Sequence, residues 1–132
     1  MKADLSQRSQ YSTSSKWENI ASYSRAIKVG NTVYVSGTTA FDEKGELVGI
    51  GNMYQQTLQV LKNIELGLNK AGAPLAAVVK TIAYVTDISR VLEYSKAYSE
   101  FFSKIRPAST LVEVKQLVDP RMLIEIEAIA VL

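Results

Sequence analysis

The sequence predicts an α+β domain, a sheet of about six strands with two helices on one face. Three observations predict it. Apolar residues recur at helical spacing in two windows only, residues 52–71 and 90–104. Alternating or β-branched runs flank those windows at 23–29, 32–37, 78–86, 109–114 and 122–131. The chain has 132 residues, enough for one core and too few for two.

The elements follow in order. Residues 1–15, MKADLSQRSQYSTSS, are poor in apolar side chains and read as a flexible arm, so the domain proper is placed at 16–132, with order beginning near Trp17. YSRAIKV, 23–29, alternates, and Gly30-Asn31 turns it into TVYVSG, 32–37; Val33 and Val35 are expected opposite Ile27 and Val29. Tyr23 and Arg25, two apart, would share a strand face. A short strand pair is expected around Asp42–Gly45. Met53, Thr57, Val60, Leu61, Ile64, Leu68 and Ala71 form the stripe of the first helix, which Gly72 ends. A helical turn after Pro74 leads into VVKTIAYVT, 78–86. In the second helix Leu92, Tyr98, Phe101, Phe102 and Ile105 are expected to face the core, and Pro107 forbids its continuation. Two more strands, 109–114 and 122–131, flank a turn at Asp119-Pro120.

Two helices can cover only one face of such a sheet. The last strand tells which residues lie on each side. Met122, Ile124, Ile126, Ala128 and Ala130 are wholly apolar and belong beneath the helices. Leu123, Glu125, Glu127, Ile129 and Val131 mix two carboxylates with large apolar groups on the other side. That face suits packing against another copy of the chain, with the carboxylates lining a cleft. It equally suits an ordinary surface strand.

Composition narrows the chemistry. There is no cysteine and no histidine, so thiolate nucleophiles, disulfides, zinc–thiolate sites and Ser-His-Asp hydrolysis are excluded. Catalysis would rest on carboxylates, tyrosine, cations, hydroxyls, backbone groups or water. The net charge of +2 and the lack of a Lys/Arg run argue against a nucleic-acid partner. No signal-peptide core and no apolar run of roughly 20 residues is present, so no membrane association and a cytoplasmic location are expected.

The segments VGNTVYVSG, VVKTIAYVTDI, RPASTLVEV and LIEIEAIAV, in this order and spacing, resemble the Rid family, the reactive-intermediate deaminases also known as YjgF-like or L-PSP proteins. The resemblance spans residues 23–132 and implies a chorismate-mutase-like fold with a mixed sheet, a homotrimer and clefts between subunits. It implies hydrolysis of imines or enamines to ammonia and a carbonyl compound, without metal or organic cofactor. Carried over by position, Glu125 is the water-handling carboxylate, Tyr23 the pocket tyrosine and Ser36-Gly37 the pocket serine-glycine. Where deaminating members carry an arginine for the substrate carboxylate, this chain has Ser109, and Ser89 stands in an asparagine slot. A hydroxyl lacks the charged, two-pronged grip of a guanidinium. Arg25, on the face expected for Tyr23, and Arg106, three residues before Ser109, are the two candidates to replace it. The resemblance thus implies a divergent imine or enamine hydrolase, with a non-catalytic ligand-binding or sensing trimer as the alternative and RNA cleavage as a third.

Overall fold

The computed structural model describes residues 5–132. Six strands form one sheet in the order β1-β2-β3-β6-β4-β5, where β1 is Arg8–Tyr11, β2 Ala26–Val29, β3 Thr32–Thr38, β4 Val78–Val85, β5 Ala108–Glu113 and β6 Ile124–Val131. Only β4 and β5 run parallel, because α3, Val91–Phe102, supplies the crossover between them; the other neighbours are antiparallel. With α2, Met53–Lys70, this is the expected α+β, YjgF-like architecture.

Both helices lie on one face. The stripe of α2 is buried as its spacing requires, with Met53, Val60, Leu61, Ile64 and Leu68 all fully covered. Asn52 caps its start by accepting from the Gln55 N–H at 2.9 Å. Its end is a Schellman turn: Gly72 sits at φ +78°, and the Ala73 N–H reaches the Leu68 carbonyl at 2.9 Å. Beneath the helices lie Val33 and Val35, Ala83 and Val85, and the even-numbered residues Ile124–Ala130 of β6. The odd-numbered residues of β6 face the other way, onto the side that α2 and α3 leave open. Val29, Tyr34, Val112 and Val131 are exposed at 47, 50, 39 and 46 %.

Four expectations are corrected. The arm is not loose throughout: within 1–15, residues Arg8–Tyr11 pair antiparallel with β2, adding an edge strand (residues 1–4 lie outside the described part). The pattern hid this strand because a short edge strand exposed on both sides needs no apolar alternation. The hairpin register is shifted by one, with Ala26 opposite Val35 and Lys28 opposite Val33, because the two-residue turn pairs Val29 with Thr32. The strand pair around Asp42–Gly45 is a single bridge, Phe41 to Leu47. Leu92 is 82 % exposed; the buried stripe of α3 runs through Tyr94, Ala97 and Phe102, and Leu92 lies two residues, about 200°, from Tyr94. A short helix, α1 at Lys16–Ala21, also precedes β2.

Candidate functional site

The β3–β6 ladder is broken at one place. Val35 pairs with Ala128 and Thr38 with Ile126, so Ser36 and Gly37 together oppose Glu127. This bulge bends the end of β3 and exposes its backbone beside β6. Glu125 fills the space. A Cβ built on Gly37 would lie 2.7 Å from Glu125 Oε1, so only glycine lets the carboxylate rest against the chain there.

A cleft of about 300 Å³ opens at this point, lined by Trp17 and Ala21 of α1, by Tyr23, Ser36, Gly37 and Thr39, and by Val118, Met122 and Glu125. Four of the sequence-predicted residues, Tyr23, Ser36, Gly37 and Glu125, therefore meet in one place. The walls are largely apolar or hydroxylic, and Glu125 is the one charged group among them. Burial raises its proton affinity above the ordinary carboxylate range; Arg25 opposes that shift and neighbouring Glu127 reinforces it. Glu127 itself lies in an adjoining groove and accepts the Tyr84 phenol hydrogen bond, which raises the Tyr84 pKa.

Two amide side chains on α2 hold the site, and the sequence reading passed over both. Gln56 is fully buried and satisfied at both ends: Nε2 donates to Gly49 O (3.2 Å) and Arg121 O (2.9 Å), while Oε1 accepts from Leu123 N (2.8 Å). It fixes the chain two residues before Glu125. Asn63 donates to Thr39 O and Phe41 O at 2.9 and 2.7 Å, fixing the segment after the bulge. Amides at interior positions of an amphipathic helix are visible in sequence, but their partners, up to 67 residues away, are not. The turn before β6 is locked by a two-pronged Arg121–Asp119 pair, which lowers the Asp119 pKa to about 2.

The three remaining candidates lie elsewhere. Arg25 is 5 % exposed and sits behind the cleft rather than in its lining. Its Nη1 donates to Gly37 O and Thr38 Oγ1, both at 2.8 Å, its Nη2 to Tyr23 Oη at 3.2 Å, and its Nε lies 3.5 Å from Glu18 Oε2. It does accompany Tyr23, but through this contact, since both residues precede the first residue of β2. Ser109 lies on edge strand β5 with its hydroxyl 3.2 Å from Thr81 Oγ1, which in turn is 2.7 Å from Tyr98 Oη under α3. Within one chain it therefore faces the helices and not the Glu125 cleft. Arg106 is exposed, at φ +54°, where its N–H closes the end of α3 on Phe102 O at 2.9 Å.

The family model described as Endoribonuclease L-PSP matches residues 13–132. A RutC family protein of Pyrococcus abyssi is 44 % identical over 113 residues, covering 84 % of this chain and 87 % of its own length. The 3-aminoacrylate deaminase RutC of Acinetobacter baylyi is 37 % identical over 111 residues, covering 84 and 87 %. Among solved structures, a member of the YjgF/YER057c/UK114 family from Mycobacterium tuberculosis superposes with a TM-score of 0.85 at 42 % identity, covering 95 % of this chain and 99 % of that one. A Rid family protein of unknown function from Yersinia pestis gives 0.86 at 35 % identity, covering 95 and 99 %. With six strands in this order, the bulge at Ser36-Gly37 and a match over almost the whole chain, the protein belongs to the Rid (YjgF/L-PSP) family.

Proposed function

We propose that this protein is a metal-independent enamine or imine hydrolase with Glu125 as its proton-transferring group, working in clefts completed where three copies meet on their bare sheet faces. One observation carries the reading: a single carboxylate of raised proton affinity rests against Gly37 in a mostly apolar cleft beside Tyr23. A carboxyl that holds its proton nearer to neutrality can act as acid and base within one turnover. The deaminase name of the Acinetobacter baylyi relative supports the same chemistry.

The steps balance around that carboxyl. Protonated Glu125 delivers its proton to the nucleophilic carbon of an enamine, producing an iminium ion. The resulting carboxylate takes a proton from water as the water oxygen bonds to the iminium carbon. Glu125 then passes that proton to the nitrogen, the C–N bond breaks, ammonia leaves, a carbonyl forms, and the hydroxyl proton returns to the Glu125 carboxylate. The anion beside the cleft stabilises the positive charge of the iminium ion. An imine substrate takes the Glu125 proton on its nitrogen instead, and the iminium ion and carboxylate so formed continue at the second step.

The lining also bears on substrate. It contains no cation, Arg25 is engaged behind it, and Ser109 stands in the arginine slot. Imines without a carboxylate are therefore the expected substrates. Losing an arginine–carboxylate contact costs about 2–5 kcal/mol in comparable buried pairs. Freshly generated imines with and without a carboxylate, assayed for ammonia release, test this: the carboxylate-free set should be hydrolysed faster, and Glu125→Ala should reduce the rate to background. No acceleration with either set defeats the hydrolase reading. The second reading, binding without turnover, is favoured by the same lack of a cation in the lining; ligand-dependent thermal stabilisation without conversion would establish it.

A further inference from the structure

We propose that Glu18, acting through Arg25, is a positioning residue for the Glu125 site: the buried pair holds Tyr23 and the Gly37 bulge in place and sets the field that Glu125 experiences. This rests on Glu125 being the working carboxylate of the hydrolysis proposed above.

The pair stands just behind the cleft wall. Glu18 is 4 % and Arg25 5 % exposed, and neither lines the cleft itself. Burying two charges is costly unless their remaining polar atoms are also satisfied. Here they are. The Glu18 carboxylate accepts from the Thr13 N–H at 3.1 Å and from the Thr13 hydroxyl, and faces Arg25 Nε. The Glu18 carbonyl accepts the Tyr23 N–H at 3.0 Å, across a reversal made at Ser22, whose φ is +59°. Glu18 thus fixes Tyr23 through its main chain and Arg25 through its side chain.

Arg25 extends the constraint to the cleft. Its guanidinium grips the Gly37 carbonyl and the Tyr23 phenol with different nitrogens, and its Cζ lies 5.4 Å from the Tyr23 ring centroid. Those two residues line the Glu125 cleft. A planar fork can make these contacts together, whereas an ammonium cannot. Its alkyl stem packs against α2, where a Cβ built on Gly67 would lie 3.2 Å from Arg25 Cγ. Gly67 therefore leaves room for the arginine.

The electrostatic part has a sign. The titratable groups around Glu125 are Arg25 behind the cleft, Glu127 on the same strand, Tyr23 in the wall and Tyr84 opposite on β4, with Glu18 beyond Arg25; the charges of Arg25 and Glu127 act on it. Arg25 favours the ionised form of Glu125, and Glu18 partly neutralises Arg25. Removing either partner should shift the Glu125 titration in opposite directions.

Carboxyl-carbon NMR of the full chain labelled at glutamate reads that titration without any need for turnover, and Glu125→Gln assigns the signal. Glu18→Gln should lower the Glu125 midpoint and Arg25→Gln should raise it. Arg25→Lys keeps the charge and loses the fork. Its Glu125 midpoint should stay near wild type while the Gly37 amide and Tyr23 ring signals move, with kcat falling about tenfold at nearly constant KM. An unchanged midpoint in folded Glu18→Gln and Arg25→Gln overturns the proposal. So do unmoved Gly37 and Tyr23 signals in Arg25→Lys, the arm that decides if the charge-removing variants fail to fold. A protein with no turnover on any imine that still shows opposite midpoint shifts would defeat the hydrolase reading and leave the positioning device standing.

Discussion

A carboxyl seated against backbone in a half-closed cleft changes both what a protein can do and how stable it is. Burial raises the Glu125 pKa above its ordinary value of 4.5. Between its unfolded and folded values the folded chain binds more protons than the unfolded one, so stability falls as pH rises through that window, and a constant penalty remains above it. Glu125→Gln removes the penalty. The variant should be more stable than wild type at pH 7, by about 1 kcal/mol or less given solvent screening on the open side. The difference should vanish well below pH 4.5, and activity should be lost at every pH; melting curves across pH and ammonia release check both. Gly37→Ala makes the complementary case. The added methyl meets the movable end of Glu125 rather than backbone, so stability should change by less than about 1 kcal/mol. Activity should fall about tenfold or more, since the carboxylate must leave its seat.

Elements position these residues through long-range polar contacts more than through adjacency. Helix α2 supplies the apolar stripe that holds the sheet, and the same helix sends Gln56 to the chain before β6 and Asn63 to the chain after β3. The cleft lies between those two anchored segments. Gln56→Leu keeps the volume but leaves Leu123 N–H, Arg121 O and Gly49 O without their partner. These partners are only partly buried, so it should cost roughly 1–3 kcal/mol in denaturant unfolding. Its effect on activity should exceed that of an equally destabilising change in α3, because only α2 contacts the Glu125 segment through Gln56. The stripe of α2 was legible in the sequence, since period alone decides which face is buried. The hairpin register was not, because the two-residue turn set it against the choice that apolar pairing suggested. Edge strand β1 was not legible either, because its residues face solvent on most sides.

At the scale of the molecule, the sheet has one covered face and one bare face. The bare one carries Val29, Tyr34, Val112, Ile129 and Val131 around the two carboxylates. The proposed assembly would cover this face. Three copies meeting there should give a particle of three times the chain mass by light scattering. Val131→Asp, which places a charge on that face, should reduce that mass and lower the melting temperature. If wild type and variant both scatter as a single chain, the closure of the cleft by neighbouring copies is wrong. Within one chain Ser109 and Arg106 lie on and before β5, with β4 between them and Glu125 on β6.

The sequence by itself determined the fold class, the stripe of α2, both faces of β6 and, through its resemblance to the Rid family, the gathering of Tyr23, Ser36, Gly37 and Glu125. The first three follow from local periodicity, and the last is what the likeness to the family implies. It also excluded histidine and cysteine chemistry, since a residue that is absent needs no coordinates. Only the tertiary structure decided what Arg25 does. Its charge could as well have faced a substrate as a partner, and the choice was made by Glu18, Thr38, Gly37 and Tyr23 converging on one buried guanidinium. A side chain's type limits the bonds it can make, but which bonds it makes depends on groups that only folding brings within three or four ångströms.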